Sequence, residues 1–191
     1  MANSLLLVYS FVSLFLCGQN DSKTNRRLRV SLDSIDYIQK SIAFIKEIKQ
    51  QELSGTSFIL VDKPSLFEYF DCIPDLLADT ATYTKEEISF IKDKKYPSLE
   101  KWTKDFFINV KLISSDTINA IFKDRWWDYF YKHIGPGFTT FSTPIFLRND
   151  TYCLFYSDHH CGWLCGGGQV TLYKKEKNKW ISVKSYCNWI S

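Results

Sequence analysis

The hydrophobic period of this chain changes once, at Gly135-Pro136-Gly137, and that change constrains the fold more than any other feature. Ahead of it, apolar residues recur at steps of three and four. Ile35, Ile38, Ile42, Ile45 and Ile48 do so first, and Ile118, Ile121, Phe122, Trp126 and Phe130 repeat the pattern. Each set lines one stripe of an amphipathic helix. Beyond it the alternation is by two, in "TTFSTPIFLR", "TYCLFYSD", "QVTLYKK" and "KWISVKSYCNWI", which predicts four strands. In the last of these Ile181, Val183, Cys187 and Trp189 would share one face, and Trp180, Ser182 and Lys184 the other. A run of helices followed by a run of strands is an α+β pattern. The expected architecture is N-terminal helices over 32–134 packed on a C-terminal four-stranded antiparallel β-meander over 138–190. A chain of 191 residues suits one core, so 32–191 reads as a single domain.

Within the helical half the punctuation is specific. Thr84 and Glu87 in "TKEEISFIKDKK" form a capping box, with Ile88 and Ile91 on the buried side. Pro64 predicts the start of a helix through "SLFEYFDCI" and Pro74 its end. "TSFILVD" reads as a short strand or a buried connector, and Ser98 with Glu100 as the start of a helix through Phe107. Ser114 or Ser115 caps the last helix, which runs through "DTINAIFKDRWWDYFYKHI".

The N-terminus differs in kind. An apolar run from Leu5 to Leu16 is followed by Cys17-Gly18 and polar residues. Its length suits the apolar region of a signal peptide and is short for a bilayer span. Residues 1–17 read as a lipoprotein-type signal with an imperfect lipobox. Leu14 fits three places before Cys17, whereas Leu16 stands where a small residue is usual. Acylated Cys17 would then begin the mature chain and hold it at a membrane. The alternative is plain secretion with cleavage near Gly18. Residues 18–31, polar and basic, read as a tether.

Export implies an oxidising compartment, where cysteines pair. Of the six cysteines, Cys153, Cys161, Cys165 and Cys187 are the disulfide candidates, and Cys72, remote in sequence, is the expected free thiol. A turn at "EKN", 176–178, sets Cys187 opposite Gly166 and allows a Cys165–Cys187 bridge. A Cys161–Cys165 staple is the other option, and spacing alone does not choose among the pairings.

Two stretches carry the candidate chemistry. "HHCGWLCGGGQ" offers His159, His160, Cys161 and Cys165 as an alternative metal set, but C-x3-C is not the usual C-x2-C zinc spacing and no second pair completes it. Neither a metal nor another cofactor is expected. Its glycines precede a strand and not a helix, which argues against a phosphate loop. A hydrolase using His159 or His160 beside Asp158 is a second reading, although no Gly-x-Ser-x-Gly elbow is present. In "RWWDYFYKH", Trp127, Tyr129 and Tyr131 cannot all join the buried stripe and form a possible binding surface. Formal net charge is +3, and the lysines interleave with acids, so nothing points to nucleic acid.

The C-terminal third resembles a group of uncharacterised cell-envelope proteins, lipoprotein-like, of Gram-negative bacteria. The likeness rests on Trp127, Phe130-Tyr131, Phe141-Ser142, Pro144 and Phe146, then Cys161-Gly162, Leu164-Cys165-Gly166 and Gly168. Lys179-Trp180 and the final Trp189-Ile190-Ser191 complete it. Cys153 stands where these proteins usually carry Ala, and Cys187 is additional. The resemblance implies a secreted or lipid-anchored α+β domain and supplies no catalytic residue. The expected function is non-catalytic: an exported envelope protein, anchored by its N-terminal lipid, that binds a protein or glycan partner through the aromatic helix 116–134 or through the Cys/Gly loop at 159–168. An immunity-type inhibitor of a toxin is a third reading. A binder needs Trp127, Tyr129 or Tyr131 exposed, and an enzyme needs His159 or His160 in a cleft beside an acid or nucleophile.

Overall fold

The structure, a computed structural model, describes residues 22–55, 57–66 and 72–191, with side chains from residue 34 onward. The expected signal segment 1–17, its Cys17 and the start of the expected 18–31 tether lie outside the described residues. The rest of that tether is helical, because α1 runs Ser22–Ile48. The other helices are α2 (Gln50–Leu53), α3 (Ile73–Ala78), α4 (Lys85–Lys92), α5 (Ser115–Asp124) and α6 (Trp126–His133). The strands are β1 (Ile59–Val61), β2 (Lys111–Ile113), β3 (Phe138–Phe141), β4 (Ile145–Leu147), β5 (Tyr152–Gly162), β6 (Cys165–Glu176) and β7 (Lys179–Ile190).

The α+β class holds, but the four-stranded antiparallel meander does not. Seven strands form one mixed sheet in the order β2-β1-β3-β5-β6-β7, with β4 also paired to β5. β1 pairs in parallel with both β2 and β3. Parallel neighbours need long crossovers, and here α3 with α4 joins β1 to β2, while α5 with α6 joins β2 to β3. Ile59, Leu60 and Val61 are all buried, as suits a strand covered on both faces. "TTFSTPIFLR" divides into β3 and β4 because Pro144 has no N–H to give a ladder. The hydroxyl of Ser142 there accepts from the Tyr156 amide instead (2.9 Å).

Successive side chains of β5 point to opposite faces. Cys153 and Phe155 meet α1, where Phe44 sits edge-on to Phe146, Phe155, Tyr173 and Trp180. Leu154 and Tyr156 meet α3 and α4 through Leu76 and Ile91. Nearer β1, the same face carries Phe138 against Ile121, Trp127 and Phe130 of α5 and α6. The sheet is thus a middle layer between α1 and the shorter helices.

Several local expectations hold and several do not. The Thr84–Glu87 capping box forms, and Arg148 grips the same carboxylate at 2.8 and 2.9 Å. Pro74 opens α3 and does not end a helix, and residues 67–71 lie outside the described residues. No helix forms over 98–107, since tertiary partners take its amides. Leu99 donates to the Thr143 hydroxyl (3.0 Å) and Trp102 to the Asp62 carbonyl (2.7 Å). The expected continuous helix after Ser114 breaks at Arg125, and Trp126 takes a left-handed φ of 59°. Ile118, Ile121, Phe122 and Phe130 keep their expected places in the stripe, and at the break Trp127 is buried in place of Trp126.

The disulfide pattern also corrects the sequence reading. Cys72, expected free, bridges Cys187; Cys161 bridges Cys165; Cys153 is the buried free thiol. Cys187 does not oppose Gly166. The turn is centred on Lys177 and Asn178, and two irregularities in the β6–β7 register move β7 further along. Cys187 falls at the second of these with φ 57°, and its side chain lies with the α3–α4 cluster that Cys72 adjoins. The first irregularity breaks the alternation of β7 as well. Ser182 pairs with Tyr173 and Lys184 with Leu172, neighbours in β6 that face opposite ways, so Ser182 and Lys184 do not share a face.

Candidate functional site

Of the residues singled out in the sequence, Cys153 lies at the other end of β5 from its turn into β6, and Cys187 beside α3. His159, His160, Cys161, Cys165 and Tyr131 converge at the end of the sheet where β5 turns into β6. Their chemistry is divided among three places. At the tip itself, the Cys161–Cys165 bridge closes a turn with Trp163 and Leu164 at its apex, 65% and 89% exposed. α6 buttresses that turn. The Tyr131 hydroxyl donates to the Cys161 carbonyl (2.7 Å), and the Trp126 indole stacks on Trp163 at 5.2 Å and 23°. Gly162 has φ 149°, and a Cβ there would lie 2.6 Å from the Tyr131 oxygen, so only glycine lets α6 come this close.

The second place is a cleft of about 860 Å³ on the α1 side of the sheet. It exists because α1 stops at Ile48 and α2 at Leu53, short of the end of β5. Thr139, Ser157, His159 and Gln169 pave it, with Asn188 beyond and Phe58 on the wall. Thr139 and His159 share a hydrogen bond of 3.0 Å to Nδ1. Desolvation against the walls, with the neighbouring His160 charge, pushes the His159 pKa below its ordinary value. Lys49 and Glu52 at the rim neutralise one another at 3.0 Å.

The third place is the opposite face, where Asp158 is buried among donors. It accepts from the Thr140 amide (2.9 Å), the Thr140 hydroxyl, the Tyr156 hydroxyl (2.9 Å) and His160 Nε2 (3.3 Å). Burial alone would raise its pKa, but the hydrogen bonds from His160, Thr140 and Tyr156 outweigh it and hold the carboxyl below its usual value. The His160 ring lies between Phe138 (4.9 Å) and Trp189 (5.1 Å).

Each candidate can now be placed. Of the proposed surface, Trp127 is 7% exposed and belongs to the core, Tyr129 is half-buried under the Arg125 guanidinium, and Tyr131 is exposed at 44%. Trp126, 49% exposed, takes the place expected of Trp127. The alternative metal set is not assembled: both cysteines are oxidised, and His159 and His160 face opposite sides of the sheet. Nor do nucleophile, base and acid line up. Among the described residues His159 has a hydroxyl partner but no carboxylate, and His160 has the carboxylate on the other face. Sequence reasoning offered the Cys/Gly loop as a binding element but did not single out Trp163 and Leu164 within it, although two apolar residues enclosed by a C-x3-C turn have no core to enter. It also missed Gln169 and Asn188, for which only the β6–β7 register gives a position.

Compared with protein-family models, with curated proteins and with solved structures, the chain matches none. What fold and site define is a class: an α+β domain closed by two disulfides, with an apolar stapled tip beside a polar cleft. Structural disulfides belong to an oxidising, non-cytoplasmic environment. Among the described residues no helix is long and apolar enough to cross a membrane.

Proposed function

We propose that this chain is an exported, membrane-tethered binding domain that presents its stapled tip to a protein partner. The observation that carries the reading is the Trp163–Leu164 apex, highly exposed and yet fixed by the Cys161–Cys165 bridge, the Trp126 stack and the Tyr131 hydrogen bond. A large apolar group held rigid in solvent loses little entropy on docking, which is how aromatic anchors concentrate binding energy. The tip is convex, so its complement is a pocket on another macromolecule and not a small ligand. An immunity-type inhibitor is the special case in which that macromolecule is a toxin.

Geometry also supports the tether. α1 runs in the direction of β5, from Lys40 beside Asp150 (2.7 Å) to Lys49 at the cleft. Its 27 residues span about 40 Å. An acylated Cys17 at its start would project the tip away from the bilayer, toward a partner. The separation of His159 from Asp158 across the sheet favours binding over hydrolysis.

The test is site-specific photocrosslinking in the native envelope, with the reactive residue at Trp163 or, as control, at Ile181. One discrete protein adduct from position 163 is expected, absent from 181. The identified partner should then bind the Trp163→Ala variant about 30-fold more weakly, as loss of a hot-spot anchor of about 2 kcal/mol requires. Equal adducts from both positions, or adducts to lipid alone, would refute the reading.

A further inference from the structure

The cleft on the α1 side is independent of the tip, and its lining is chemically selective. Among the described residues, the side chains of Ser57, Ser157, Gln169 and Asn188 have no hydrogen-bond partner, and all four line it. His159 uses only Nδ1, leaving Nε2 open. A hydroxyl gives and takes a hydrogen bond, and a carboxamide does both at fixed separation. Such groups match an array of vicinal hydroxyls.

Charge narrows the ligand further. Lys49 and Glu52 cancel at 3.0 Å, and Asp158 is committed to Thr140, Tyr156 and His160. Among the described residues, no charged side chain lining the cleft is therefore left without a partner to attract an anion or a cation. The partly exposed Phe58 ring adds an apolar surface for the C–H face of a pyranose. At about 860 Å³ the cleft lies in the upper part of the size range of ligand sites, about 300–1,000 Å³, with room for more than one ring. From these observations we infer that the cleft is a second binding site, for a neutral polyhydroxylated ligand of the oligosaccharide class.

The site needs its glycines. A Cβ on Gly137 would lie 2.5 Å from the His160 carbonyl and 3.1 Å from the His159 ring, so the 136–137 wall closes on β5 only as glycine. A Cβ on Gly167, which pairs with His159 and faces the same side, would meet the Trp189 carbonyl at 3.2 Å. Backbone is thereby brought to the cleft edge, where carbonyls and amides are within reach of a ligand.

The experiment is protein-observed amide NMR on the chain from residue 18 onward, with maltotriose, cellotriose, laminaritriose and triacetylchitotriose. Each is taken to about 10 mM, which detects dissociation constants in the millimolar range. A trigalacturonate serves as charged control. At least one neutral trisaccharide is expected to shift the amides of Ser157, His159, Gln169 and Asn188, and trigalacturonate to shift none of them. Gln169→Ala with Asn188→Ala, both exposed positions, should keep the free spectrum and weaken that binding tenfold or more. Trp163→Ala should leave it unchanged, so loss of partner crosslinking and loss of glycan binding separate cleanly. No shift with any neutral sugar, equal binding of the charged one, or shifts confined to the tip would overturn the inference.

Discussion

Removing the Cys72–Cys187 bridge should destabilise this domain far more than removing Cys161–Cys165. The bridges differ in what they enclose: the first spans a sequence separation of 115 residues, the second of four. In the chain-entropy account, opening the longer loop frees the denatured chain by about 5 kcal/mol and opening the shorter one by about 2. Native contacts change little in either case. Without the bridge, α3 still holds β7 through Asp79, which accepts from Lys184 (2.5 Å) and from the Tyr186 hydroxyl (2.6 Å). Against a total stability of about 5–15 kcal/mol, the first loss is a large fraction and the second a modest one. For a domain of this size, each kcal/mol corresponds to about 2–4 °C in Tm. Cys72→Ser with Cys187→Ser should therefore melt about 10–20 °C below the parent, and Cys161→Ser with Cys165→Ser about 4–8 °C below. The assay is thermal unfolding followed by circular dichroism without reductant, with disulfide-linked peptides mapped by mass spectrometry. A drop in the first variant no larger than in the second would refute both the pairing and the argument from loop length.

Two further outcomes follow from buried titratable groups. Asp158 has a folded pKa below its unfolded value, so its contribution to stability is fully present above the unfolded pKa, near 4, and is lost as pH falls through the lowered folded value. Asp158→Asn should thus flatten the acid limb of a stability–pH curve while lowering stability at pH 7, and an unchanged acid limb would contradict the network. Cys153 is fully buried, and burial pushes its thiol pKa well up. A chain from residue 18 onward should accordingly expose no thiol to Ellman's reagent when folded and one when unfolded in guanidinium, and fast labelling of the folded chain would contradict its placement.

How much of this was legible in the sequence depends on the length of each signal. β7 and the outer parts of β5 and β6 declared themselves because each is long enough to show alternation, and the Thr84–Glu87 box because capping chemistry is local. Residues 159–162 and 165–168, by contrast, read as a loop and continue β5 and β6. β1 and β2 have three residues each, too few for a period, so the mixed sheet could not be read. The break at Trp126 carries no glycine or asparagine to announce a left-handed residue, so the sequence places Trp126 in the stripe where the fold places Trp127. The Cys187 pairing failed through register. An offset of one residue in the turn and two irregularities in β6–β7 decide what a cysteine ten places away can reach. The tip residues Trp163 and Leu164 were readable in principle, since a disulfide turn of this size has no interior.

A buried carboxylate beside the tip needs a physical reason, because desolvating it is costly unless donors surround it. The reason lies in Gly166, Gly167 and Gly168. They strip β6 of side chains at this end, so the apolar packing that unites β5 with its neighbours elsewhere is missing here. Asp158 supplies the cohesion instead. It binds Thr140 of β3 through amide and hydroxyl, and through Tyr156 it reaches Trp189 of β7, whose indole donates to that hydroxyl at 3.2 Å. Trp189 in turn lies over the space that a Cβ at Gly168 would fill. Hydrogen bonds are directional where apolar contacts are not, so this network fixes the positions of β3, β5 and β7 at the end of the sheet where strands would otherwise fray. The cleft floor stands on those three strands and β6, and the stapled tip continues β5 and β6 beyond them. A polar network placed beneath two proposed recognition surfaces holds them in the geometry in which a partner or a ligand would have to find them.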